Sequence, residues 1–261
     1  MTARLARTAC SLVAVALAAA CASYYEIPIE TPIRPKLDVS AFQRVFVAGF
    51  IAGGTDDVDG NLETTRLLRS QLRTKSEMRV IDADVLPLME VAAEGRQATN
   101  GSTDKVEKTE KPAAGAPLIK EDADLEAYEH IFANVEYWKR IGEEYQQPLI
   151  VTGTVMFAPQ ARSGVVQRDQ EVYDSFGRRR VVPVRTYLER KGFVLKPRFI
   201  FIDGRTGTVL HSENFREEIL YNANQTSPAL SSYFELMDRL IPSFLSTLSS
   251  QKIKGTRVLL Q

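Results

Sequence analysis

The sequence predicts an α+β protein, a mixed α/β fold in which a mixed β-sheet is flanked by helices. Three observations carry that expectation. Val45-Phe46-Val47-Ala48-Gly49-Phe50 and Leu149–Phe157 are almost continuously apolar and rich in β-branched or aromatic residues, as strands buried on both faces are. Residues 122–145 repeat apolar side chains at three- and four-residue steps through Leu125, Tyr128, Phe132, Val135, Trp138 and Ile141, as a helix covering a sheet does. Strands and helices alternate early and strands then follow one another, which suits layers built on one sheet.

The first strand runs into Gly53-Gly54-Thr55-Asp56-Asp57, a turn-rich loop. Asn61 is the expected cap of a helix whose apolar positions are Leu62, Leu68 and Leu72. Arg79-Val80-Ile81 reads as a short strand, and Asp84 as the cap of a helix containing Leu86, Leu88 and Val91. Residues 94–120 change character: polar, charged and small residues dominate, with Val106 the one bulky apolar residue before Leu118. That composition predicts a disordered surface insertion. After the 149–157 strand, Val165–Tyr173 and Arg180–Leu188 flank Asp174-Ser175-Phe176-Gly177, a turn suited to a hairpin, and predict a protruding basic β-ribbon over 162–192. Phe193–Ile202 is the next strand, with Phe193, Leu195, Phe199 and Phe201 on one side; Asp203-Gly204-Arg205-Thr206-Gly207 turns into Thr208–Leu220. A helix over 228–248, kinked at Pro242, and an edge strand Arg257-Val258-Leu259-Leu260 complete the series.

Both cysteines lie in the first 21 residues. Arg4 and Arg7 precede an apolar run from Ala9 to Ala20, long enough for a signal-peptide core and short of the roughly 20 residues that span a bilayer. Ala18-Ala19-Ala20-Cys21 resembles the lipobox of bacterial lipoproteins, with Ala18 where leucine is usual. That resemblance implies cleavage between Ala20 and Cys21 and a lipid on Cys21; the alternative is ordinary secretion after a small-x-small site. The expected organisation is a signal peptide over 1–20, a lipid-anchored tether over 21–42 spaced by Pro28, Pro32 and Pro35, and a single domain over 43–261. Tyr24 and Tyr25, beside the lipid site, suit the headgroup layer. Ala22, where an inner-membrane retention signal would have Asp, points to the periplasmic face of the outer membrane.

Without residues 1–20 the chain carries 31 basic and 33 acidic side chains, a balance that gives no argument for nucleic acid. Gly49–Thr55 follows a strand and precedes a helix, but a phosphate loop needs Lys then Ser or Thr after its last glycine, and here Thr55-Asp56-Asp57 follows Gly54. Asp57-Val58-Asp59-Gly60-Asn61 fails as a calcium hand, since no frame puts glycine sixth and an acid twelfth. His130 and His211 are the two histidines, and neither has a second at ligand spacing. Ser249-Ser250-Gln251-Lys252 matches Ser-x-x-Lys without the partner motifs of penicillin-recognising enzymes. A hydrolase or ligand carrier would need a deep pocket, to which no motif points. The expectation is no enzyme, no metal and no cofactor.

What survives is a separation of charge. Residues 160–200 hold ten basic side chains against four acidic ones, and Arg178, Arg179, Arg180 and Arg185 are the candidates for partner binding, because guanidinium forks grip carboxylates and phosphates. The bland reading is a hairpin edge kept soluble by charge.

Val45–Leu72, the strand with Thr152-Gly153-Thr154, and Phe199–Ser212 with its Asp203-x-x-Thr206-Gly207-x-Val209-Leu210 turn occur in this order. Together they resemble the periplasmic domain shared by the curli-secretion-channel lipoprotein, the lipoprotein activator of peptidoglycan synthase and the TolB amino-terminal domain. The resemblance implies a mixed sheet flanked by helices, no enzymatic activity and work done through protein contacts. It would make the protein a lipid-anchored adaptor or scaffold, tied to the membrane through Cys21. Its ribbon would meet an envelope protein, peptidoglycan or lipid head groups. The alternative is a subunit of an oligomeric export or envelope-assembly ring. A pore is disfavoured, because charges fall on both sides of Val166–Glu171 and an arginine in lipid costs about 2–4 kcal/mol near the midplane.

Overall fold

The computed structural model describes residues 24–93, 119–222, 225 and 227–260. The expected signal peptide, Cys21 and almost all of the 94–120 insertion lie outside the described residues; of the insertion, Ile119 is buried and the N–H of Lys120 donates to Asp124. The described residues fall into two compact units, 24–35 with 249–260 and those within 36–248.

The larger unit is α+β. Its strands are β2 (Arg44–Gly54), β3 (Arg79–Val80), β4 (Leu149–Tyr173), β5 (Arg179–Asp203), β6 (Val209–Asn214) and β7 (Glu217–Asn222). They form one mixed sheet in the order β3-β2-β4-β5-β6, with β7 also paired to β5. β2 runs parallel to β3 and β4, and the remaining pairs are antiparallel. Because side chains alternate across a strand, both faces of the central strands are apolar. Val45, Val47, Leu149, Val151, Leu195, Phe199 and Phe201 enter one core, and Phe46, Ala48, Ile150, Ile200 and Ile202 enter another.

The first core is closed by α1 (Gly60–Lys75) and by the long helix over Ala229–Leu248. That long helix buries Tyr233, Leu236, Met237, Leu240, Ile241, Phe244, Leu245 and Leu248, a stripe of helical period, and it continues through Pro242. The opposite core is closed by residues 88–93, α2 (Asp122–Glu126), a 3-10 turn (Glu129–Ala133) and α3 (Val135–Glu144). The helical layers therefore lie on both faces of the sheet.

Three local expectations are corrected. The 122–145 stretch is broken into α2, the 3-10 turn and α3, because the Asn134 side chain accepts from the Tyr137 N–H and starts a new helix there. Leu125, Tyr128, Phe132, Trp138 and Ile141 are buried as the periodicity requires, while Val135 is exposed. Asp59 rather than Asn61 caps α1, accepting from the Leu62 N–H at 2.9 Å; Asn61 instead accepts from the Phe50 N–H at 2.7 Å. Helix after Asp84 begins only at residue 88. The Ala229–Leu248 helix is called α4 below.

The smaller unit corrects the tether. Tyr24–Ile33 is a strand, β1, paired antiparallel along ten residues with β8 (Gln251–Leu260) in a two-stranded sheet of its own. Arg257–Leu260 thus closes on β1, not on the main sheet. Pro28 and Pro32 are four apart, hence in the same phase of the ladder, so both nitrogens can face an open edge where no N–H is needed. Among the described residues no helix is long and apolar enough to cross a membrane.

Candidate functional site

The ribbon at 162–192 is the feature that the fold leaves unaccompanied. β2 follows β4 only as far as Phe157, and β7 follows β5 only from Arg190. From Ser163↔Glu189 to Tyr173↔Arg179, β4 and β5 pair with each other alone. Eleven pairs at about 3.3 Å each make a projection of about 36 Å with both edges open.

Its tip is set by one carboxylate. Asp174 accepts from the N–H groups of Phe176 and Arg178, both at 2.9 Å, and from the Arg178 guanidinium at 3.1 Å. Gly177 takes φ +72, which a two-stranded connection of this shape requires and a side chain would resist. The N–H of Arg178 above all holds the Asp174 carboxyl below its ordinary range; desolvation, next in size, opposes it, and the N–H of Phe176 and the Arg178 guanidinium add to the lowering. With the folded value depressed, the tip's stabilisation is complete above the unfolded carboxylate value of about 3.9 and is lost as pH falls through the folded one. We expect the Phe176 and Arg178 amide signals to stay fixed from pH 7 to 5 and to move together only in stronger acid; titration of Asp174 at or above the ordinary value would contradict this.

The register sorts the arms into two faces. On one lie Val165, Gln167, Asp169, Glu171 and Tyr173 with Arg179, Val181, Pro183, Arg185 and Tyr187. On the other lie Gly164, Val166, Arg168, Gln170 and Val172 with Arg180, Val182, Val184, Thr186 and Leu188. The second face has no acid at all: its charges are Arg168 and Arg180, set among Val166, Val172, Val182 and Val184, which are 36–43% exposed. Exposed apolar surface of this extent in a protruding element marks a contact site or an aggregation hazard.

The four predicted arginines are brought to this ribbon but not to one surface. Arg178 pairs with Asp174, and Arg179 with Glu171 at 3.2 Å. Arg180 lies on the acid-free face, 3.9 Å from Asp174. Arg185 is on the mixed face and makes no ion pair among the described residues. Sequence reasoning missed Arg168 and the valines, because acids and bases interleave along each arm and separate only once the cross-strand register is known. Ala20 and Cys21 lie outside the described residues.

Elsewhere the singled-out motifs are held internally. The N–H groups of Gly54 and Thr55 donate to the carbonyls of Ile119 and Phe157, so they are not turned toward a phosphate. Asp57 accepts from the Thr55 hydroxyl, and Asp59 caps α1. The ring nitrogens of His130 meet the Ala127 and Ala92 carbonyls, and His211 Nε2 lies 3.5 Å from Glu213. Lys252 pairs with Glu30. Asp203 accepts from the N–H of Gly207 and from the Arg205 side chain, making the Asp203–Thr208 turn a structural clasp against α3. Among the described residues no three potential ligands gather around a metal position. The sequence pointed to no deep pocket, yet a cleft of about 600 Å³ opens beside Phe50, Leu62, Leu86, Met89 and Tyr128, its rim ending at Ala93 where the described residues stop.

No family model matches the chain, and no curated protein matches it. Among solved structures, the lipoprotein GNA1162 from Neisseria meningitidis is similar at 12% identity and a TM-score of 0.33, over 77% of this chain and 97% of that one. A PDZ domain protein from Parabacteroides distasonis is similar at 10% identity and a TM-score of 0.16, over 90% of this chain and 39% of that one. At these scores neither likeness bears on function.

Proposed function

We propose that this protein is a non-enzymatic lipoprotein of the bacterial envelope, held through Cys21 at the periplasmic face of the outer membrane, and that it binds an envelope protein through the acid-free face of the β4–β5 ribbon. The reading of residues 1–21 supplies the anchor, and the resemblance to the curli-channel and synthase-activator group supplies the expectation of protein contacts. The observation that carries the binding role is the unaccompanied ribbon: a patch of four valines with Arg168 and Arg180 fits a partner segment that is apolar and carries carboxylates.

The test is photo-crosslinking in intact cells. A photo-reactive residue at Val184 is expected to give a discrete adduct, and one at Gln167, on the opposite face, much less of it. Val182→Glu should remove the adduct, since it puts an acid where the partner's acid sits, while moving the unfolding midpoint little because Val182 is exposed. An adduct unchanged by Val182→Glu, or equal at the two faces, contradicts the assignment.

The second reading, a subunit of an oligomeric export or assembly ring, is favoured by the ribbon's two different open edges. One belongs to β4 and the other to β5, and such unlike edges can pair head to tail between copies. A monomer by light scattering in mild detergent counts against it.

A further inference from the structure

We propose that the β1–β8 ribbon lies on the lipid surface with one face down, so that the protein rests on the bilayer through a β-sheet as well as through an acyl chain. The proposal rests on the reading of Cys21 as the lipid-bearing residue. A two-stranded sheet alone in water is marginally stable, so a persistent one needs a surface that covers an apolar face. Here the register divides the faces cleanly. Ile27, Ile29, Thr31 and Ile33 share a side with Arg257 and Gly255; the three isoleucines are 40–45% exposed. On the other side Glu26, Pro28, Glu30 and Pro32 lie with Lys252, Lys254, Thr256 and Val258. That polar side is ion-paired within itself, Lys252 Nζ lying 3.2 Å and Lys254 Nζ 3.8 Å from Glu30.

Two observations choose lipid over a second copy of the ribbon. Only three peptide steps separate Cys21 from Tyr24, so the strand starts within about 11 Å of the acylated atom. At that end the pairs are Tyr24↔Leu260 and Tyr25↔Leu259, with no charge on either strand. The other observation is Arg257, opposite Ile27 on the apolar side. Two such faces stacked together would bury Arg257 among isoleucines, with no carboxylate on that side to meet it. At a bilayer its stem lies along the apolar layer and the guanidinium reaches a head-group phosphate. The ribbon, about 33 Å long at 3.3 Å per residue, would then set the direction in which the following chain leaves the membrane.

The experiment uses the full mature chain in vesicles of phosphatidylethanolamine and phosphatidylglycerol. An environment-sensitive fluorophore is attached through Ile29→Cys, through Ile33→Cys as a second position, and through Thr256→Cys on the opposite face; circular dichroism confirms that each variant is folded. Lipids carrying a quencher in the acyl chain are expected to quench the label at positions 29 and 33 several-fold more than at 256. Equal or negligible quenching at all three overturns the proposal, and is the result that ribbon-to-ribbon stacking would give. The mass of residue 21 in the same sample reads the anchor separately, so loss of the acyl chain and loss of the face preference are distinguishable.

Discussion

Gly153→Ala is expected to be the most destabilising single change in the main sheet. Gly153 is buried near the start of β4, flanked by Phe50 of β2 and Phe199 of β5, at φ +143. A Cβ there would stand 1.8 Å from the Arg198 carbonyl oxygen and 2.9 Å from its carbon. The obstacle is the backbone of the neighbouring strand, so no rotamer change relieves it. A side chain in that conformation costs about 1–3 kcal/mol, and overpacking adds about 1–3 more. Against a total stability of about 5–15 kcal/mol, that is a large share of the margin. Urea unfolding followed by circular dichroism should show the midpoint collapsed or the protein insoluble; a midpoint near that of the parent would mean that β4 and β5 are not packed as described.

Trp138→Ala should be the most damaging change in the opposite core, at about 3–5 kcal/mol. Trp138 is fully buried in α3, makes an edge contact with Tyr137 at 5.0 Å, and donates from Nε1 to the Ile131 carbonyl at 2.9 Å. Truncation opens a cavity beneath α3 and leaves that carbonyl without its donor. Trp138→Phe should cost less, since it refills most of the space and loses only the hydrogen bond. As this is the chain's one tryptophan, the comparison must be made by circular dichroism. Equal losses in the two variants would show that volume is not what the site requires.

The parts of the fold carried by local pattern were readable. The β-branched runs at 45–50 and 149–157 are central strands, and the apolar stripe at 229–248 is one helix. Periodicity also named the buried residues of 122–145, but it said nothing of where the axis changes. That depends on a single side-chain hydrogen bond from Asn134, which a window of hydropathy does not register. Pairing across more than two hundred residues was beyond local reading altogether: nothing in Tyr24–Ile33 announces Gln251–Leu260, and the prolines of β1 read as a tether. At the candidate site the turn at Asp174–Gly177 was legible, because Asp and Gly there have defined conformational uses. The acid-free face was not, although it follows once the turn fixes which residue opposes which. Gly153 shows the same limit, since its identity was part of the resemblance while the carbonyl of Arg198 that forbids a side chain was invisible.

Lipidation of Cys21 would tie both ribbons to the envelope, and its most direct test is the mass of the amino-terminal peptide of the native protein extracted from its own cells. The expected peptide begins at residue 21 and is heavier than the unmodified sequence by the glyceride and acyl groups on its cysteine. A first peptide that begins elsewhere, or a bare Cys21, would contradict it.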